Sequence, residues 1–212
     1  MRQPLIIVCI SDTHELHREL VVPDGDMLIH AGDFTFFSHR RRMIQDFNDW
    51  LGELPHTHKV VIPGNHEGLF EREPPVRDEI TNARLLINES AMIGGHLVWG
   101  SPVTPPFGGA FTLNAPERAN LYAGIPHNVE ILVTHTPPFG TLDLPPDSPE
   151  HAGCPELGQV VDHLSPRLHV FGHIHGAYGR LSAGGTTFVN AALFGELGDL
   201  DRAPIVVNIP DW

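Results

Sequence analysis

The feature of the sequence that most constrains its fold is a series of short apolar runs, each ending in a glycine, proline or polar turn. Residues 5–10 are continuously apolar, as expected of a strand covered on both faces of a sheet. The run 59–62 leads in the same way into Pro63-Gly64-Asn65-His66-Glu67. Apolar residues at helical spacing separate some of these runs, so the sequence predicts an α/β fold. Open α/β sheets bind ligands at the carboxyl ends of their strands, where the polar motifs of this chain lie.

Helices are predicted where apolar residues recur at steps of three and four. Residues 38–54 are typical of an amphipathic helix, with Ser38 as its N-terminal cap. Residues 70–84, with at most a short helix, and 101–111 are expected to be loops because they are polar or rich in proline and glycine. The shorter predicted helices are 116–122 and 157–164, and the predicted strands are 5–10, 27–31, 59–62, 96–100, 130–134, 168–171, 186–189 and 205–209.

Length and composition favour a single soluble domain over residues 1–212. Hydrophobic residues make up 41% and charged residues 18% of the chain, which is typical of a globular protein. No apolar run approaches the roughly 20 residues of a membrane span, and residues 5–10 lead directly into Asp12 without the pattern of a signal peptide. Cys9 and Cys154 do not suggest a disulfide framework. We therefore expect a cytoplasmic protein with no membrane partner.

The charge balance restricts the class of substrate. Lys and Arg number 13 against 26 Asp and Glu, which gives a net charge of −13. The basic stripe that long nucleic acids require is not visible. A small anionic substrate stays compatible with this charge, because bound divalent cations reverse the local sign. We expect a small-molecule substrate and no long nucleic acid, and exposed apolar loops could support a homodimer.

Polar residues at five predicted strand ends form one candidate metal centre. Their side chains offer oxygen and nitrogen ligands and no thiolates, which suits divalent Mn, Fe or Zn. A single catalytic zinc needs only three protein ligands, so the number of candidates here predicts two divalent ions. Such a pair generates a hydroxide and holds both the attacking and the leaving oxygen of a phosphoryl displacement. The candidate ligands are Asp12, His14, Asp33, Asn65, His135, His173 and His175.

Each polar residue also has an ordinary structural interpretation when it is considered alone. Asp12 could cap a helix or form a turn, and Asn65 could be a turn residue with positive φ. His30 could orient a ligand or be a core histidine. Glu67 could orient a ligand or be solvated, and His169 is expected to be structural. The combination at strand ends favours the metal centre over these separate interpretations.

The five motifs, in their order along the chain, resemble those of the calcineurin-like metallophosphoesterases. The matching motifs are Asp12-x-His14, Gly32-Asp33, Gly64-Asn65-His66-Glu67, His135 and Gly172-His173-x-His175. The resemblance implies a four-layer α/β sandwich of two mixed β-sheets flanked by helices. It also implies that a hydroxide bridging the two metals attacks the phosphorus.

The same resemblance implies a role for each matching residue. Asp33 would bridge the two metals. His66 would not bind metal; it would stabilise the phosphoryl transition state and protonate the leaving oxygen. The first metal would be held by Asp12, His14 and His175, and the second by Asn65, His135 and His173.

A narrower resemblance covers about residues 5–210. Residues 9–14, 47–52 and 168–171 are similar to the vertebrate metallophosphoesterase-domain-containing phosphodiesterases, a class III cyclic nucleotide phosphodiesterase-like group that acts on phosphodiesters. Some members of that group carry Gly at the position of His173, which impairs their second metal site. Because the ligand is present here, we expect two bound metals, with Mn or an Fe/Mn pair favoured. The loop 101–111 is less aromatic than in those relatives, so a base stacked on Phe107 or Phe111 is not expected.

The residues after Asp33 bear on the reaction. Protein Ser/Thr phosphatases of the superfamily have Asp-Arg-Gly after the Gly-Asp motif, whereas this chain has Phe34-Thr35-Phe36-Phe37. We therefore predict a metal-dependent phosphoric diester hydrolase that acts on small phosphodiesters or nucleotides, including cyclic nucleotides as candidates. The alternatives are a phosphomonoesterase for a small substrate and a non-catalytic nucleotide-binding module; the acidic charge disfavours a nuclease.

Overall fold

A computed structural model of the chain describes residues 4–37, 40–106, 108–195 and 197–209. Ser38, the predicted helix cap, and Phe107 lie outside these ranges. Within them, the chain forms eleven strands in two sheets, four α-helices and three short 3₁₀ helices. None of the helices in the described part of the chain has the length and apolar character needed to cross a membrane.

Helices lie between several of the strands along the chain, as in other α/β proteins. The strands are β1 (Leu5–Ile10), β2 (Met27–Ala31), β3 (His58–Ile62), β4 (Arg84–Leu85), β5 (Glu89–Ile93), β6 (His96–Ser101), β7 (Ile131–Thr134), β8 (Leu168–Phe171), β9 (Gly179–Ala183), β10 (Thr186–Asn190) and β11 (Ile205–Ile209). The helices are α1 (Arg41–Glu53), α2 (Leu69–Arg72), α3 (Ala115–Ala123) and α4 (Pro155–Leu164), and the 3₁₀ helices are His17–Glu19, Pro74–Glu79 and His175–Ala177.

Both sheets are mixed. The first has the order β11-β1-β2-β3-β4, in which only β11 is antiparallel to its neighbour. The second has the order β5-β6-β7-β8-β10-β9, with a parallel centre and an antiparallel strand at each edge. Parallel central strands direct their carboxyl ends to one side of each sheet, which is where the polar motifs follow.

The chain packs in four layers, as the resemblance to the metallophosphoesterases implies. Alternate residues of β1 show the arrangement, because Cys9 points into the core between the two sheets and Val8 points to the outer face. Helix α1 covers that outer face with Phe47 and Leu51. Helices α3 and α4 cover the outer face of the second sheet, where Tyr122 packs in a third cluster. Burial of these apolar faces stabilises the sandwich by about 25 cal/mol for each Å² removed from water.

Three strands were not predicted, among them the two-residue β4 at the edge of the first sheet, and one predicted loop holds more structure than expected. Strands β5 and β9 are the antiparallel edges of the second sheet. The segment 70–84 contains the end of α2 and a 3₁₀ helix in addition to loop. Helix α3 begins at a capping box in which the Asn114 side chain accepts the N–H of Glu117 and the Glu117 carboxylate accepts the N–H of Asn114.

Candidate metal centre

The candidate centre lies where the carboxyl ends of the two sheets meet. Strands β1, β2 and β3 supply residues from the first sheet, and β7 and β8 supply residues from the second. A hydrogen bond joins the sheets at this point, because Nδ1 of His135 lies 2.9 Å from the carbonyl oxygen of Ala31. All seven sequence-predicted ligands are brought to this end of the molecule.

One group of ligand atoms comes from Asp12, His14 and His175. One atom from each of these side chains lies within 4.8 Å of the other two. Nε2 of His175 lies 3.2 Å from Oδ1 of Asp12. Despite its burial, the Asp12 carboxyl has a pKa held well below its usual range by the hydrogen bond and charge of His175 and by other nearby histidines. A carboxylate that stays ionised next to two imidazoles is a suitable binding group for a divalent cation.

A second group comes from Asp33, His135 and His173. Their ligand atoms also lie within 4.8 Å of one another. Nε2 of His135 lies 3.1 Å from Oδ2 of Asp33 and 2.9 Å from Oδ1 of Asn65, so the amide oxygen belongs to the same group. Burial opposes the charged form of His135, but the Asp33 carboxylate outweighs it and raises the pKa of His135 to about 9. The same carboxylate would attract a divalent cation bound among these side chains.

A third group links the other two. It consists of His14, Asp33 and His66, again with ligand atoms within 4.8 Å of one another. Because His14 belongs also to the first group and Asp33 also to the second, the three groups form one continuous centre. The side chain of His66 is 26% exposed, whereas that of Asp33 is 3% exposed. His66 therefore lies at the mouth of the centre, and the Asp33 carboxylate lies at its base.

Hydrogen bonds to the backbone orient the imidazoles. Nδ1 of His14 lies 3.2 Å from the carbonyl oxygen of Thr35. Since a carbonyl can only accept, each Nδ1 that contacts one must carry the hydrogen, as in His14 and His135. Nε2 is then the atom with the free electron pair in the neutral ring. This is the arrangement that metal-binding histidines use.

Four of the candidate ligands have a left-handed backbone. Asp12, His14, Asp33 and His173 have φ of 54°, 42°, 55° and 68°. Such a conformation costs a residue other than glycine about 1–2 kcal/mol. Strain of this kind persists only where the surrounding structure imposes it, and it is concentrated at functional sites.

Two glycines make the close approach of the loops possible. A Cβ atom on Gly172 would lie 2.0 Å from Oδ2 of Asp12, and one on Gly64 would lie 2.2 Å from Oδ1 of Asp33. The carboxylates of the two groups therefore rest against glycine backbone. Any other residue at either position would displace a candidate ligand.

Sequence comparisons agree with this geometry. Residues 5–177 match the model of the family described as Calcineurin-like phosphoesterase. The chain belongs to the calcineurin-like phosphoesterase family. The UPF0046 protein K07C11.7 of Caenorhabditis elegans is 38% identical over 222 residues, which cover 97% of this chain and 76% of the relative. The human Metallophosphoesterase domain-containing protein 1 is 38% identical over 234 residues, which cover 96% of this chain and 70% of the relative.

A solved structure supports the fold. The crystal structure of TT1561 of Thermus thermophilus aligns with 98% of this chain and 100% of its own, with a TM-score of 0.65 and 16% sequence identity. At that identity the likeness concerns the fold alone. The family resemblance and the two-sheet sandwich predicted from the sequence are both confirmed.

Members of the calcineurin-like phosphoesterase family generally bind divalent metals, and the donor set of this chain fits them. The three groups contain carboxylate oxygens and imidazole nitrogens, with an amide oxygen beside them. Both cysteines, Cys9 and Cys154, are free and buried in the apolar clusters, so the candidate donors include no thiolate. Hard and borderline divalent cations prefer such oxygen and nitrogen ligands.

Glu67 is a buried anchor of this centre. Its Oε2 accepts the N–H groups of Gly64 at 2.6 Å and Asp33 at 2.9 Å, and its Oε1 accepts the N–H and the hydroxyl of Thr35 at 2.9 and 2.7 Å. Burial and the nearby Asp33 carboxylate raise the pKa of Glu67, while the donors that contact both of its oxygens oppose the shift and favour the carboxylate. Of the two interpretations left open by the sequence, the solvated one is wrong.

The two strand histidines have structural contacts. Nε2 of His30 lies 3.0 Å from the hydroxyl of Thr13, the residue between Asp12 and His14 in the sequence. Nε2 of His169 lies 2.8 Å from the hydroxyl of Thr134. Burial lowers the pKa of each imidazole to about 3. His30 therefore supports the loop after β1 through Thr13, and His169 is a core residue, as expected.

Three residues between 190 and 202 support the centre, and no sequence motif predicts their role. Nη1 of Arg202 donates to the carbonyl oxygens of His175 at 2.5 Å and of Phe194 at 3.2 Å. Nδ2 of Asn190 donates to the carbonyl oxygen of Ile174 at 3.0 Å. The Phe194 ring lies 4.7 Å from that of His14, measured between centroids. These contacts fix the backbone and rings of candidate ligands that are distant in sequence.

Proposed function

We propose that the chain is a dinuclear-metal-dependent phosphodiesterase for small phosphodiesters, with cyclic nucleotides among the candidate substrates. The observation that carries this proposal is the continuity of the three ligand groups, which share His14 and Asp33. Asp12, His14 and His175 would hold one divalent cation. Asn65, His135 and His173 would hold a second, and Asp33 would contribute to both.

Two divalent cations in such a centre supply a nucleophile from water at neutral pH and offset the charge on the phosphoryl oxygens. The ligand set accepts Mn, Fe or Zn, and we favour Mn or an Fe/Mn pair. The chain's own residues supply the orientation of these ligands and the proton for the leaving group.

His66 is the residue we assign to the leaving oxygen. Its Nδ1 donates to the backbone carbonyl oxygen of Phe36, so this nitrogen is not available to a substrate. Its Nε2 faces the centre, 3.9 Å from Oδ2 of Asp33. A proton held on Nε2 can therefore pass to an oxygen that leaves from a phosphorus bound beside Asp33. The partial exposure of the imidazole lets a substrate reach it.

The mouth of the centre favours a diester over a monoester. Phe36 and Phe37 are 39% and 59% exposed and lie beside the centre, where the Phe36 ring stacks on that of His14. A monoester dianion gains from a cationic side chain directly after the Gly-Asp motif, as in the Asp-Arg-Gly phosphatases. This chain has Phe34-Thr35-Phe36-Phe37 there. A diester has one negative charge and a second organic group, which can pack against exposed rings. A monoesterase for a small substrate and a nucleotide-binding module are the alternatives.

The test compares initial rates on bis(4-nitrophenyl) phosphate and 4-nitrophenyl phosphate with Mn²⁺ added. Asp33→Asn is the blank, because loss of this carboxylate weakens both metal positions. Asp162→Asn, on the exposed face of α4, is the matched control and is expected to retain full activity.

We expect faster hydrolysis of the diester, which is lost in Asp33→Asn and kept in Asp162→Asn. Faster hydrolysis of the monoester would replace the proposal with a phosphomonoesterase. Turnover of neither ester, with metal bound, would favour the binding module.

A further inference from the structure

A cavity of about 410 Å³ opens beside the metal centre. Asn65 and His66 line it, together with Glu71 and Arg72 of helix α2. Phe37 and residues 108–110 also line the cavity. The volume lies within the range of about 300–1,000 Å³ that small-molecule sites have in proteins.

The guanidinium of Arg72 lies against a glycine that also lines this cavity. A Cβ atom on Gly68 would lie 2.6 Å from Nη1 of Arg72, so a larger residue at this position would push the guanidinium aside. Among the residues that the structure describes, no carboxylate forms an ion pair with Arg72. The carboxylate beside it in sequence, Glu71, is engaged elsewhere, because its Oε1 accepts the N–H of Phe111 at 2.7 Å.

The position of His66 identifies what this cavity would hold. If Nε2 of His66 protonates the leaving oxygen, the rest of the leaving group must extend on the side of His66. The cavity lined by His66 lies on that side. We propose that it is the leaving-group subsite and that Arg72 binds an oxyanion, a carboxylate or a phosphate, carried by the leaving alcohol. This inference rests on the proposed phosphodiesterase function and narrows its substrate class.

The chemistry of the groups agrees with this assignment. A guanidinium presents parallel N–H donors that match two oxygens of a carboxylate or a phosphate. In a chain with a net charge of −13, an arginine without an ion pair beside the reaction centre gives an anion a local site of attraction. A cyclic nucleotide has a single phosphate, which the metals would hold, and so offers Arg72 no partner. The subsite therefore favours linear diesters with a second anionic group.

The experiment uses esters that differ only in the charge of the leaving group. Methyl 4-carboxyphenyl phosphate and methyl 4-carbamoylphenyl phosphate are assayed with Mn²⁺ by the ultraviolet absorbance of the released phenol. Methyl 4-phosphonophenyl phosphate, the third probe, distinguishes a preference for phosphate from one for carboxylate. The variants are Arg72→Gln and Arg72→Lys, and Arg77→Gln is the matched control because this exposed arginine lines a different cavity.

We expect Arg72→Gln to lower kcat/KM for the carboxylate ester by about 2–5-fold more than for the carbamoyl ester, as suits an exposed charged pair. The effect should lie mainly in KM, since Arg72 would bind the substrate and transition state alike. Arg72→Lys should restore part of it, and Arg77→Gln should leave the ratio of the two esters unchanged.

Equal effects of Arg72→Gln on the two esters, or no effect on either, would overturn the inference. Bis(4-nitrophenyl) phosphate separates this failure from failure of the proposed function, because its leaving group has no anionic substituent. If bis(4-nitrophenyl) phosphate is hydrolysed but Arg72→Gln does not affect the anionic probes selectively, only the subsite is rejected. Failure to hydrolyse any diester would reject both proposals.

Discussion

The buried carboxylate of Glu67 accepts the backbone N–H of Asp33 at 2.9 Å and thereby ties the loop after β3 to the loop after β2. The same oxygen also accepts the N–H of Gly64, and the other oxygen accepts two donors of Thr35. One side chain thus satisfies donors on both loops that present candidate ligands. The position of Asp33 depends on this anchor, because its left-handed backbone is not favoured by itself.

Glu67→Gln should destabilise the fold and weaken metal binding. The amide NH₂ would face N–H donors that now contact a carboxylate oxygen, and a buried donor left unsatisfied costs about 1–3 kcal/mol. Urea denaturation should show a loss of about that size, and elemental analysis should show less bound metal. The control is Glu19→Gln, which changes an exposed glutamate and should alter neither quantity. Unchanged stability and metal content in Glu67→Gln would remove the anchoring role.

The sequence predicts the central part of the fold well because its strands are buried on both faces. Strand β1 is continuously apolar for this reason, and its boundaries agree with the prediction. Strands β4, β5 and β9 were not predicted because they lie at sheet edges and few of their residues are buried. Their sequences carry little apolar alternation, so the neighbouring strand determines their conformation. Hydrophobic pattern alone does not identify such strands.

The same distinction applies to the candidate centre. His14 and Asp33 stand in local motifs directly after strands, so the sequence predicts both their identity and their meeting point. Arg202 and Asn190 act on backbone carbonyls instead, which every residue has. No local pattern marks a contact of that kind, because it depends on how the chain returns to the site. Glu67 is an intermediate case. It belongs to a local sequence motif, but its burial depends on how distant parts of the chain pack around it.

His66→Ala should lower turnover of an aryl phosphodiester by about 10²–10⁴-fold, the usual contribution of a positioned acid. Metal content should stay at the wild-type level, because the hydrogen bonds that orient His14 and His135 do not involve the His66 imidazole. Initial rates and elemental analysis of the same preparation measure both quantities. The control is His127→Ala, which removes an exposed imidazole outside the three ligand groups.

The third ligand group makes the metal measurement decisive. His66 lies within 4.8 Å of the ligand atoms of His14 and Asp33, close enough to bind a metal itself. Loss of one metal ion in His66→Ala, together with loss of activity, would show that His66 is a ligand and not the acid.

Gly109→Ala should weaken binding of the second metal through Asn65. A Cβ atom on Gly109 would lie 2.6 Å from the carbonyl oxygen of Asn65 and 3.0 Å from its Cβ atom. The N–H of Ala110 donates to that same carbonyl oxygen at 2.8 Å, so the backbone around Asn65 cannot move away without losing this bond. We expect a higher dissociation constant for Mn²⁺ in calorimetric titrations, and lower activity at limiting Mn²⁺.

Gly108→Ala is the matched control for this change. Gly108 and Gly109 have nearly the same φ, 96° and 94°, so alanine carries the same backbone cost of about 1–2 kcal/mol at each. A Cβ atom on Gly108, however, would meet nothing within 4 Å among the described residues. Equal weakening of Mn²⁺ binding by the two substitutions would attribute the effect to strain and not to displacement of Asn65.

His169 should make the protein less stable at acidic pH. The Thr134 hydroxyl donates to the carbonyl oxygen of Thr136 at 2.7 Å, so it accepts the Nε2–H of His169. Nδ1 of His169 is buried, and no partner for it lies among the described residues. A second proton on this ring would therefore be neither hydrated nor bonded. Burial accordingly lowers the pKa of His169 from 6.5 to about 3.

The direction of the pH dependence follows from this shift. Between about pH 3 and pH 6.5 the unfolded chain binds a proton at His169 that the folded chain does not, so stability falls as the pH falls through this range. At pH 5 the loss from this residue is about 2 kcal/mol, from 1.36 kcal/mol for each pH unit below 6.5. His169→Gln keeps an N–H donor for Thr134 and cannot be protonated. Urea denaturation at pH 7.5 and pH 5.0 should therefore show a smaller loss in this variant than in the wild type, by about 2 kcal/mol. The exposed His163→Gln should lose as much stability as the wild type, and an equal loss in His169→Gln would show that His169 is protonated in the folded protein.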